Sequence, residues 1–133
     1  MILDSSAIIA AILGEPRAER IGAAIGAAPV CRIGSPTLVE TTIVLVHKEG
    51  NRGKALLADF LQQRNFDVLS FGDAHWRAAQ VAYLRYGKGR HPAGLNFGDC
   101  LTYAAAFVAG EPLLCIGDDF PQTDLELVKL GEQ

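Results

Sequence analysis

The residues best suited to chemistry are acids at four separated places in the chain. Asp4 follows the short apolar opening Ile2-Leu3, and Glu40 lies in the first turns of a largely apolar helical stretch. Asp99 comes three residues after Asn96, and the pair Asp118-Asp119 follows the apolar run Leu113 to Ile116. Each acid has an ordinary structural use. Asp4 can cap the helix that follows it, Asn96-Phe97-Gly98-Asp99 can form a local capping arrangement, Asp118-Asp119 can be turn residues, and Glu40 can pair with a distant arginine. The chemistry lies in the combination. Two carboxylates about 4 Å apart repel by roughly 1 kcal/mol in bulk water and about 4 at an effective dielectric of 20. Four gathered on one edge of a fold therefore call for protonation or for a cation among them. All-oxygen ligands suit Mg²⁺ or Mn²⁺ better than zinc. One or two such ions could lower the pKa of a bound water and clamp a phosphodiester for in-line attack.

The positive charge is segregated from these acids. No acid occurs between Asp73 and Asp99, a window holding Arg77, Arg85, Lys88 and Arg90 together with His75 and His91. The glycine-rich segment Tyr86 to Gly94 would offer Arg85, Lys88 and Arg90 to phosphates, just before the helix that carries Asp99. Free amides at the start of that helix could assist. The C-terminal stretch is the reverse, with Glu111, Asp118, Asp119, Asp124, Glu126 and Glu132 against a single Lys129. A net charge of −3 averages over this pattern, which also has the plainer reading of scatter on a solvated face. Other chemistries lack their signatures. Cys31, Cys100 and Cys115 form no close pair, which argues against a disulfide framework or a thiolate zinc site. The histidines show no metal-like spacing, and there is neither a Gly-x-Ser-x-Gly elbow nor a phosphate-binding Gly-x-x-x-x-Gly-Lys loop.

The elements that must position the acids alternate between strand and helix. At 133 residues, half of them hydrophobic, the chain suits one compact domain spanning 1–133 and is too apolar for disorder. A short strand is expected at Met1 to Asp4, then an all-apolar helix from Ala7 to Leu13 capped by Ser5 or Ser6 and a helix from Pro16 to about Ala27. A strand at Pro29 to Ile33 precedes a strongly apolar helix from Thr37 to about Lys48, opened by Ser35-Pro36. An amphipathic helix follows at about Arg52 to Arg64, then a strand at Phe66 to Phe71 and a helix at Ala74 to Tyr86 capped by Asp73. After the basic loop, Asn96 caps a helix through Val108. Leu113 to Ile116 reads as a buried strand, Gly117 to Thr123 as a turn and Leu125 to Leu130 as a last edge strand. This order implies an α/β architecture with a mostly parallel sheet covered on both faces. Ligands in such sheets gather outside the carboxyl ends of the strands, where Asp4 and Asp118-Asp119 fall. Neither a membrane span nor a signal peptide is expected, and a reduced, cytoplasmic protein is.

Taken in order, Asp4-Ser5-Ser6, Glu40, Leu95-Asn96-Phe97-Gly98-Asp99 and Gly117-Asp118-Asp119-Phe120-Pro121-Gln122-Thr123-Asp124 resemble the PIN domain. More narrowly, they resemble the VapC-type ribonuclease toxins of bacterial toxin–antitoxin modules, over essentially the whole chain. The resemblance implies a three-layer α/β/α fold, usually dimeric, that cleaves RNA with Mg²⁺ or Mn²⁺. By motif it assigns Asp4, Glu40, Asp99 and Asp119 to catalysis and the metal, with Asp4 and Asp99 as direct ligands and Asp118 as a neighbour. Ser6 would orient Asp4 or a metal-bound water, Asn96 would support the site, and Asp124 would be structural. It also implies a VapB-type antitoxin partner and an RNA substrate. Where relatives often carry Phe-Lys before the Gly-x-Asp-Phe turn, this chain has Cys115-Ile116. Two other readings are a PIN-like module that binds RNA or protein without cutting, and a haloacid dehalogenase-type phosphatase. The second is disfavoured because Ser6 stands where that chemistry needs an Asp.

Overall fold

The computed structural model describes residues 1–131, so Glu132 of the acidic C-terminal stretch lies outside the described residues. Four strands, β1 (Ile2–Leu3), β2 (Cys31–Gly34), β3 (Phe66–Leu69) and β4 (Leu113–Leu114), form one parallel sheet in the order β3-β2-β1-β4. Six helices surround it: α1 (Ser5–Leu13), α2 (Ala18–Ala27), α3 (Ser35–Glu49), α4 (Gly53–Gln62), α5 (Asp73–Tyr86) and α6 (Phe97–Ala109).

Alternation along β1 and β4 splits the core into two halves. Ile2 and Leu113 face one way and pack with Ala82 and Tyr86 of α5 and Tyr103 to Ala106 of α6. Leu3 and Leu114 face the other way and pack with Ala7, Ile8 and Ile9 of α1, Ile21 and Ile25 of α2 and Leu57 and Phe60 of α4. The expected sheet covered on both faces is therefore present. The chain runs from β1 outward through β2 to β3 and then returns to place β4 on the other side of β1. The order thus reverses between β1 and β4, and a crevice opens there at the carboxyl ends.

The elements occur where the sequence places them, with local differences. Asp4, rather than Ser5 or Ser6, caps α1, because its carboxylate accepts from the Ser6 backbone N–H at 3.1 Å. Gly72 stands at the cap of α5 in place of Asp73, and its N–H donates to His75 Nδ1 at 3.0 Å. The expected edge strand at Leu125 to Leu130 shrinks to one parallel bridge between Leu127 and Leu113. Helix α3 differs most from expectation. Its buried positions are Thr37, Thr41 and Leu45, while the apolar Val39 and Ile43 are 60% and 64% exposed. The threonines can be buried because their hydroxyls are satisfied. Thr41 Oγ1 donates to the Thr37 carbonyl at 2.7 Å, and the Thr37 and Thr102 hydroxyls meet at 3.3 Å.

Asp124 makes contacts within the fold, away from the acids named above. It accepts a hydrogen bond from Tyr103 Oη at 2.6 Å and lies 3.5 Å from Arg85 Nη1. Burial, then this bond, push the Tyr103 phenol well above its usual range. Tyr103→Phe removes a hydrogen bond to a charged group and is expected to cost about 1–2 kcal/mol. Thermal unfolding should show this as a fall in Tm of roughly 4–7 °C.

Candidate active site

Asp4, Glu40, Asp99 and Asp119 line one depression of about 460 Å³ outside the carboxyl ends of β1 and β4, with Ser5, Ser6, Asn96, Asp118 and Phe120 beside them. Four segments far apart in the chain are brought together by the crossing of strands described above. Asp4 is the most enclosed of the acids, 4% exposed. Its Oδ2 accepts from both the Ser6 N–H, at 3.1 Å, and the Ser6 hydroxyl, at 2.6 Å. That hydroxyl in turn accepts from the Ile116 N–H at 3.0 Å. Ser6 thus ties the start of α1 to the end of β4 and fixes the Asp4 carboxylate in the crevice. The other oxygen, Asp4 Oδ1, is buried with no hydrogen-bond partner among the described residues.

Asp99 is held in a similar way at the start of α6. The Asn96 side chain accepts from the Asp99 N–H at 2.9 Å, and Asp99 Oδ2 accepts from the Asn96 N–H at 3.1 Å. The capping use that the sequence suggested for Asp4 and Asp99 is therefore real, and it does not compete with membership of the site. In each carboxylate one oxygen is committed to a cap. Asp119 and Asp118 are exposed and project from the turn after β4, where Gly117 has φ +114°, a backbone conformation that disfavours other residues.

Glu40 is half-buried and reaches the depression from the side of α3. Among the described residues it pairs with no arginine. Its Oε1 accepts from the Ser5 hydroxyl at 2.8 Å, and its Oε2 lies against Gly98. Sequence reasoning assigned Ser5 a part only as a cap and Gly98 none of its own. The signal for them was adjacency, Ser5 to Asp4 and Gly98 to Asp99.

The crowding of these acids registers in their ionisation. The Asp99 carboxyl is pushed up from 3.8 to about 6, chiefly by burial. The Asn96 backbone N–H works against that rise, while the charges of Asp4, Asp119 and Glu40 add to it. The Cys115 thiol is pushed up to about 12, by burial first and then by Asp4 and Asp99, so a neutral thiol borders the acids. The donor set is all oxygen, and one buried oxygen lacks a partner, which fits a hard divalent cation. Among the described residues, however, no three His, Cys, Asp or Glu side chains stand close enough to hold one ion between them. The acids share an open depression rather than a closed shell.

The basic residues lie outside this depression. Arg85 pairs with Asp124 and packs over the Tyr86 ring, while Arg90 Nε donates to the Leu84 carbonyl at 3.2 Å. Lys88 is exposed, and its backbone N–H donates to the Leu95 carbonyl at 2.9 Å, folding the loop back toward the start of α6. The loop also approaches the acidic turn, where Gln122 Nε2 reaches the Pro92 carbonyl at 3.5 Å. Of the aromatics near this loop, Tyr86 is buried, whereas Trp76 and Tyr83 are exposed. Next to the acids an apolar face runs across Val39, Ile43, Leu101 and Phe97, the last 81% exposed.

Residues 1–125 match the family model described as the PIN domain. Ribonuclease VapC36 of Mycobacterium tuberculosis is 46% identical over 127 residues, covering 95% of this chain and 91% of that protein. The crystal structure of VapC20 of M. tuberculosis, described as a sarcin–ricin loop cleaving toxin, superposes with a TM-score of 0.77 at 20% identity, covering 96% of this chain and 98% of that one. VapBC2 of Rickettsia felis, solved bound to a DNA fragment from its promoter, gives a TM-score of 0.76 at 16% identity and 98% coverage of both chains. These two likenesses establish the three-layer fold. No helix among the described residues is long and apolar enough to cross a membrane.

The raised Asp99 gives a pH-dependent stability with a definite sign. Its folded pKa of about 6 exceeds the ordinary 3.8, so the folded state holds a proton that the unfolded state has lost between those values. The resulting stabilisation is complete below about pH 4 and disappears as pH rises through about 6. In metal-free buffer at pH 7, Asp99→Asn is expected to raise stability by on the order of 1 kcal/mol after screening. Thermal melts at pH 7 and pH 4 check this, the gain being present at the first and absent at the second.

Proposed function

The chain belongs to the PIN-domain family as a VapC-type ribonuclease toxin of a toxin–antitoxin system, and on that premise we propose that it is a metal-dependent endoribonuclease whose acidic depression cleaves RNA phosphodiesters. The observation that carries this reading is the convergence of Asp4, Glu40, Asp99 and Asp119, with Asp4 Oδ1 buried and unpartnered among them. Asp4 and Asp99 would hold a Mg²⁺ or Mn²⁺ ion directly, and Glu40 and Asp119 would complete the negative lining. When bound, the ion supplies an activated water and neutralises charge on the scissile phosphate. The protein's own contribution is positioning. Ser6 fixes Asp4 and links it to β4, and Asn96 fixes Asp99 at the start of α6. Lys88 and Arg90, with Arg85, would hold the RNA backbone on the loop that borders the acidic turn. Cys115-Ile116 provide no cation there, so grip on the RNA falls to that loop.

An antitoxin partner is supported by membership of the VapC-type toxins and by the likeness to the VapBC2 structure. The exposed Phe97, Val39 and Ile43 support a homodimer that covers this face, since a patch of this kind is costly to leave in water. Analytical ultracentrifugation should find a dimer for the wild type and a monomer for Phe97→Asp.

Two experiments test the catalytic reading. Asp4→Asn and Asp99→Asn should each abolish Mg²⁺-dependent RNA cleavage while keeping the wild-type circular dichroism, and excess EDTA should do the same to the wild type. Cleavage that survives these changes would remove the metal mechanism, and RNA binding without any cleavage by the wild type would assign the chain to the non-catalytic reading. Replacing Lys88 and Arg90 with Ala should weaken binding to single-stranded RNA and lower the slope of log K against log salt by about 1.4, roughly 0.7 for each phosphate no longer neutralised. An unchanged slope would give the loop another role.

A further inference from the structure

Unlike Asp4 and Asp99, Glu40 does not have its carboxylate anchored to its own backbone neighbourhood. It is held from two other helices. Ser5, the first residue of α1, donates its hydroxyl to Glu40 Oε1 at 2.8 Å. That hydroxyl is not needed to cap α1, because Asp4 does so. From the other side, α6 contributes an absence. A Cβ on residue 98 would lie 1.6 Å from Glu40 Oε2 and 2.6 Å from its Cδ, far inside any real contact. The backbone at 98 is ordinary helix without positive φ, so conformation does not require glycine there. Helix propensity favours almost any other residue at that position. What the glycine provides is room for a carboxylate one residue before Asp99.

We propose that Ser5 and Gly98 are positioning residues for Glu40, Ser5 holding one carboxylate oxygen by its hydroxyl and Gly98 leaving the space the other occupies. The inference rests on the reading of Glu40 as part of the RNA-cleaving site. It explains why a negative side chain stays pressed into a group of like charges instead of turning to solvent from the flank of α3. It also sets a direction that a purely structural role would not give. Alanine at 98 favours the helix and can be accommodated by swinging aside the flexible end of Glu40, so stability and function should move in opposite directions.

The test uses Ser5→Ala, Ser5→Thr and Gly98→Ala in the full chain, with Mn²⁺ affinity of the RNA-free protein followed by thermal shift and RNA cleavage resolved into kcat and KM. Ser5→Ala and Gly98→Ala should each lose about 10–100-fold in Mn²⁺ affinity and kcat, with KM for RNA nearly unchanged. The metal-free Tm should stay level or, for Gly98→Ala, rise. Ser5→Thr, which keeps the hydroxyl, should recover most of the loss. In a Glu40→Ala background, Gly98→Ala should cause no further loss of Mn²⁺ affinity, because no carboxylate remains to be displaced. Wild-type Mn²⁺ affinity and kcat in both single variants, or a full additional loss in the Glu40→Ala background, would overturn the proposal while leaving the catalytic reading intact provided that Asp99→Asn is inactive. A wild type that neither binds Mn²⁺ nor cleaves RNA would overturn both.

Discussion

Gathering carboxylates in a half-buried depression costs free energy, and the surroundings of this site are largely the means by which that cost is met. Burial and the neighbouring acids push Asp99 up to about 6. Against that pressure three of the acids are restrained by specific devices. Asp4 is bound by Ser6, Asp99 shares a reciprocal cap with Asn96, and Glu40 is held between Ser5 and Gly98. Asp119 is exposed, where water screens its charge. A hard divalent cation would relieve the remaining strain between like charges, which is why the arrangement is intelligible as a site and hard to explain as packing.

The topology makes this concentration possible without long loops. Because β1 lies beside both β2 and β4 and all strands are parallel, the ends of β1 and β4 open on the same edge, and α6 starts beside them. The Ser6 hydroxyl joins two of these ends in a single chain, from the Ile116 N–H to the Asp4 carboxylate. The site is therefore built on the first turns of helices, rigid parts of the fold, and only Asp118 and Asp119 come from a turn.

Much of this is legible in the sequence. Strand and helix alternation points to the parallel sheet, because two-residue strands buried on both faces appear as continuous apolar runs. The four acids are visible because each stands after an apolar run that reads as a strand or within the first turns of a helix. What cannot be seen depends on tertiary contact. The burial of Thr37 and Thr41 in place of Val39 and Ile43 turns α3 against its hydropathy, since paired hydroxyls pack inward and leave an apolar face outward. The part played by Gly98 is hidden because a missing side chain has meaning only when the atom that fills its space is known. The strand expected at Leu125 to Leu130 fails for a related reason. Its apolar residues pack against the core as side chains, but only Leu127 makes a bridge to β4.

The central claim is that these acids form one cation site, and calorimetric titration of Mn²⁺ into the RNA-free protein addresses it most directly. The predicted result is saturable binding by the wild type at pH 8 that is lost in Asp4→Asn and weakens as the pH is lowered below 6, where Asp99 must give up a proton before it can bind. Absence of binding by the wild type, or binding of equal strength by Asp4→Asn, would contradict it.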